Sequence, residues 1–113
     1  MADTNWQVFD LAQIKKKLTG KPAEYLEFLN VAALNCGVYF LAAGSTDMQS
    51  PHDDDEVYFV LSGKARMRLD GVERDVGAGS LLYVSASTEH SFFEIQEDMT
   101  LLVMFANTPA GRG

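Results

Sequence analysis

At 113 residues the chain has room for one domain, and 47% hydrophobic residues, with seven Phe, four Tyr and one Trp, supply one core. A formal net charge of -7 repels nucleic-acid phosphates and anionic membrane headgroups, so neither is an expected partner. MADTNWQVFDL lacks a basic segment followed by an apolar stretch, and the single cysteine, Cys36, permits no internal disulfide; both point to a cytoplasmic protein.

Val8, Leu11, Ile14 and Leu18 recur at helical spacing, which predicts one short helix within residues 6–19, stopped by Gly20 and Pro22. Lys15, Lys16 and Lys17 read as its solvated face. From residue 24 the texture is that of strands: YLEFLNV, GVYFLAA, EVYFVL, KARMRL, VERDV, LLYV, HSFFEI and TLLVMFA, aromatic and β-branched between polar or glycine breaks. Asp70-Gly71 is a strong two-residue hairpin signal. Short strands with turns every eight to twelve residues predict an all-β closed barrel or jelly roll, which leaves few exposed edges. The barrel is expected over residues 24–106, with an N-terminal extension at 1–23 and a loose tail at 107–113.

The two histidines, His52 and His90, each follow a polar break and lead into a strand. Three residues separate His52 from Glu56. On one straight strand, residues four apart stand ~13 Å apart, too far to share an ion. A single helical turn after Pro51, or a turn through Asp53, Asp54 and Asp55, would bring the two side chains together. Aspartate tolerates turn backbones, which favours the second arrangement. Glu56, Tyr58 and Val60 then share one face, and Val57, Phe59 and Leu61 the other.

Two segments carry a family resemblance. Gly44, five residues, Ser50-Pro51-His52, three residues, Glu56, six residues and Gly63 resemble the first motif of the cupin family. Gly79, five residues, Ser85-Ala86-Ser87, two residues, His90, three residues and Glu94 follow the spacing of the second. Ser50 stands where the family usually has its first histidine; Ser85, Ser87 and Glu94 stand where Pro, Gly and Asn are usual. The resemblance covers roughly residues 37–105 and implies a double-stranded β-helix, or jelly-roll, barrel.

It further implies that His52, Glu56 and His90 are ligands of one divalent metal ion, with Fe, Mn, Ni, Zn and Co all compatible with two imidazoles and a carboxylate. Such a set leaves positions open for substrate. The implied function is a metal-binding cupin acting on, or binding, a small organic molecule, dioxygenase-like if an enzyme. A non-catalytic binding barrel is the alternative. Gln49 and Ser50 are candidates to complete the site, and Tyr58, Phe92 and Glu94 to line its pocket by strand alternation. Tyr39 and Tyr83 are further lining candidates. Arg66 and Arg68 form a solvated strand face or recognise a substrate carboxylate. A homodimer is expected, with Trp6, Val8 and Phe9 packing on a partner or capping the barrel.

Overall fold

The computed structural model describes residues 5–47 and 54–107. In chain order these form α1 (Leu11–Lys15), β1 (Ala23–Val31), β2 (Leu34–Leu41), β3 (Glu56–Leu69), β4 (Val72–Gly77), β5 (Leu81–Val84) and β6 (His90–Ala106). The architecture is an antiparallel all-β barrel with a short N-terminal helix. Among the described residues no helix is long and apolar enough to cross a membrane.

α1 is shorter than its apolar spacing predicts. The Asp10 carboxylate accepts hydrogen bonds from the N–H groups of Ala12 and Gln13 and caps its start. The helix ends at Lys15, before Gly20 and Pro22 are reached. Ile14 is its one buried residue; so short a helix depends on packing, and little apolar surface is offered beyond Ile14.

The strands order as β1-β2-β6-β3-β4, with β5 also paired to β3. Asp70 (φ 50°) and Gly71 (φ 83°) both take left-handed backbone in the two-residue loop between Leu69 and Val72, the conformation a type I′ hairpin requires. EVYFVL and KARMRL, expected as separate strands, are one continuous β3, and HSFFEI and TLLVMFA are one continuous β6. The polar breaks between them are bends within strands.

Those bends close the barrel. In β3 the buried residues are Glu56, Tyr58 and Val60, then Ala65 and Met67, so the inward parity switches from even to odd. The pairing of β3 with β6 shifts register between Val60 and Arg66. β6 makes the same switch, from His90 and Phe92 to Ile95, Met99, Leu101 and Val103. Each switch marks an inserted residue that bends and twists the ladder. At the crossing lies Gly63 (φ 100°), where a Cβ would stand 2.4 Å from the Asp98 carbonyl oxygen. Only glycine accepts both that backbone and that approach.

The β3–β6 ribbon is thereby folded over. Glu56 pairs with Phe105 at one end, and Leu69 pairs with His90 at the other. A straight strand would separate Glu56 from Leu69 by ~43 Å. In the bent ribbon the Glu56 and His90 side chains touch. Tyr58, Met67, Phe92, Leu101 and Val103 fill the interior between the two halves.

Candidate metal centre

Glu56 opens β3 and His90 opens β6, and both side chains are about as buried as the apolar core around them. His90 Nε2 lies 3.0 Å from Glu56 Oε1 and 3.1 Å from the Tyr58 hydroxyl. On the far side of the ring, Nδ1–H donates to the Thr88 carbonyl at 2.8 Å. That bond leaves Nε2 as the nitrogen with an available lone pair when the ring is neutral. Tyr58 stands edge-on to Phe92, with ring centroids 5.3 Å apart, which fixes the phenol beside the pair.

The carboxylate raises the His90 pKa above its ordinary value, chiefly through the Glu56 contact, with burial opposing. Burial first, and then the Glu56 charge, hold the Tyr58 phenol far above its usual range, so it remains a hydrogen-bond donor. Although His90 is close, neither Glu56 oxygen accepts a well-directed hydrogen bond among the described residues. A buried carboxylate without such bonds is costly.

This donor set fits a divalent cation. Two ligand atoms ~2.1 Å from one ion and at a right angle stand ~3.0 Å apart, which is the observed Glu56–His90 separation. The anchored Nδ1 is the outer support that ligating histidines usually carry. Among the described residues no group of three His, Cys, Asp or Glu side chains gathers as a ligand set. Gln49, Ser50 and His52, together with Asp53 of the proposed turn, lie outside the described residues.

The other sequence candidates divide. Glu56, His90, Tyr58 and Phe92 come together, and Tyr39 is buried nearby. Glu94 does not join them: its φ of 45° is where β6 switches parity, so Ile95 turns inward and Glu94 outward. Tyr83 is 66% exposed. Arg66 and Arg68 face away from the barrel interior. Arg66 pairs with Glu73 and Asp75, Arg68 with Glu73, and both guanidinium groups lie over the Phe93 ring. That outer ladder is a strand surface, not a carboxylate subsite within the barrel.

Asp47 was not foreseen. Its Oδ1 accepts from the Tyr39 hydroxyl at 2.6 Å, and its Oδ2 from the Phe92 N–H at 2.9 Å. It therefore ties the chain leaving β2 to the strand that carries His90. A lone aspartate within GSTDMQ has no periodicity to mark it. Ser87 (φ 64°) and Glu94 (φ 45°) hold left-handed backbone at two positions where the family motif usually has Gly and Asn. Those are the residue types that adopt it at least cost, so the motif preference there is conformational.

Comparison with known proteins agrees with this geometry. Residues 37–105 match the Cupin domain family model. The uncharacterized protein SCO3923 of Streptomyces coelicolor is 39% identical over 100 residues, covering 88% of this chain and 95% of that one. Among solved structures, TT1209 from Thermus thermophilus superposes with a TM-score of 0.77 at 22% identity, covering 92% of this chain and 100% of that one. The DMSP lyase DddQ from Ruegeria pomeroyi superposes at 0.73 with 18% identity, over 85% of this chain and 54% of that one. From the bent ribbon, the paired motifs and the family match together, the chain belongs to the cupin family.

Proposed function

We propose that this cupin holds one divalent metal ion on Glu56, His90 and His52 and acts on a small organic molecule, in a dioxygenase-like reaction. The observation that carries the reading is the Glu56 carboxylate: buried, without a well-directed hydrogen bond among the described residues, and 3.0 Å from His90 Nε2, the ring nitrogen that faces the Tyr58 hydroxyl. A bound ion would supply Lewis-acid polarisation of a chelating oxygen. The protein's own part follows from the geometry. Thr88 fixes the imidazole orientation, Phe92 and the core around it exclude water, and Tyr58 holds a proton at its hydroxyl within reach of the site.

Metal analysis of untagged protein tests this. Wild type is expected to retain about one ion per chain, and the His52→Ala, His90→Ala double variant none. Equal metal in both would sink the proposal. Oxygen uptake by the Fe(II)-loaded protein on small acids, enediols and phenols then tests the reaction class.

The homodimer expected from sequence draws support from the exposed Trp6, Val8 and Phe9. Light scattering that returns a monomer mass would remove it.

A further inference from the structure

Beside the centre, a pocket of about 220 Å³ is lined by Tyr25, Glu27, Asn35, Asp54, Phe105 and Asn107. Strand pairing places it on the inner face. Asn35 pairs with Phe105, and Phe105 with Glu56, so the three form one cross-strand row. In the next row Glu27 pairs with Gly37, Gly37 with Val103 and Val103 with Tyr58. Glu56 and Asn35 are two strands apart, ~10 Å across the sheet. The pocket and the metal centre therefore share a wall.

That wall is built in advance. Tyr25 lies across Gly37, where a Cβ would come within 2.3 Å of the Tyr25 ring. Its hydroxyl reaches Asn35 Oδ1 at 3.0 Å, and Asn35 Nδ2 in turn reaches a Glu27 oxygen. The direction of this chain follows from its end. A carboxylate only accepts, so the Asn35 amide nitrogen faces Glu27, the amide oxygen faces Tyr25, and Tyr25 must donate. Burial holds the Tyr25 hydroxyl in its protonated form. The Tyr25 proton is thus committed within the wall, while Glu27 keeps lone pairs to spare. Two carboxylates, two amides and two aromatic rings surround the space, and among the described residues no lysine, arginine or histidine lines it.

We propose that this pocket selects a small organic cation, a protonated amine, and orients the rest of that molecule toward Glu56 and His90. A carboxylate or phosphate ligand would meet like charge there. An ammonium group supplies N–H donors to the remaining lone pairs of Glu27 and to the Tyr25 oxygen, and the rings of Tyr25 and Phe105, with centroids 6.2 Å apart, give it aromatic neighbours. The proposal rests on the preceding reading only in taking Glu56 and His90 as the reacting end.

The test is an NMR titration of the full chain, metal-free and metal-loaded, with n-butylammonium, n-butanol and butanoate as probes. Butylammonium is expected to bind about tenfold more tightly than butanol and to shift the Asn35 side-chain amide, with butanoate weakest. Glu27→Gln, at an exposed side chain, is expected to remove the tenfold preference without altering metal content. Butanol or butanoate binding as well as the amine, no binding by any probe, or an unchanged preference in Glu27→Gln would each overturn it. Metal content is measured on the same samples. Amine preference without metal in wild type would sink the metal centre alone, and metal without amine preference would sink this pocket alone.

Discussion

Two sets of opposite charges lie within one barrel and teach opposite lessons. Inside, Glu56 and His90 meet at 3.0 Å with each side chain 1% exposed. Outside, Arg66 and Arg68 meet Glu73 and Asp75 at 3.1–3.5 Å with side chains 35–84% exposed. The distances are alike; the surroundings are not. Exposed pairs are screened and typically worth ~0.2–1 kcal/mol. A buried pair costs several kcal/mol of desolvation per ion, which its mutual attraction repays only with good geometry. Among the described residues Glu56 lacks the well-directed hydrogen bonds that would repay it. The outer ladder serves a strand surface, while the inner pair carries a cost that stability alone does not explain.

His90→Ala should break this contrast most severely. It removes the imidazole partner of the buried Glu56 charge, and metal-free protein is expected to lose ~3–5 kcal/mol in denaturant titration. A loss below ~1 kcal/mol would mean that the interior is wetter than its burial indicates. Gly63→Ala comes next, because the bend at Gly63 is what brings the pair together. Left-handed backbone and a Cβ against the Asp98 carbonyl predict a cost of ~2–4 kcal/mol. Calorimetry finding the variant as stable as wild type would show that the crossing can relax.

A third change sharpens the comparison by reversing its sign. Glu56→Leu, Tyr58→Phe and His90→Leu together replace the polar cluster with apolar groups of similar volume. Metal-free stability should hold, or rise by ~1–4 kcal/mol, while metal binding disappears. A strongly destabilised triple variant would assign the cluster a structural role. The smallest effect belongs to the outer ladder. Glu73→Gln removes the carboxylate shared by Arg66 and Arg68, at an expected ~0.2–1 kcal/mol that fades with added salt. A larger, salt-insensitive loss would show that the exposed ladder is not screened.

Much of the fold was legible in sequence. Strand texture, the Asp70-Gly71 hairpin and the shared face of Glu56, Tyr58 and Val60 all follow from local rules, and local rules govern them. The resemblance to the cupin motifs implied that His90 meets Glu56 across the chain, which no periodicity could do. What escaped was non-local. Ser62 and Gly63 read as a strand end because a sharp bend and a break use the same residues; only pairing with β6 makes the strand continuous. Glu94 was assigned inward because alternation assumes an unbroken pleat, and β6 breaks it at that residue. Asp47 escaped because its partners, the Tyr39 hydroxyl and the Phe92 N–H, come from two different strands. Tyr25 and Glu27 were within reach, since they alternate on one face of β1, yet nothing local told which face was enclosed.

The folded ribbon has one more consequence. Glu56 and His90 lie at opposite ends of a doubled strand pair whose crease is Gly63. Whatever binds both residues acts as a clasp on a sprung hinge. Its binding free energy adds to the opening free energy of the whole ribbon, growing by ~1.4 kcal/mol for each tenfold excess of ligand over Kd. Occupancy would therefore register far from the bound atoms, as slower amide exchange along β3 and β6 on both sides of the crease.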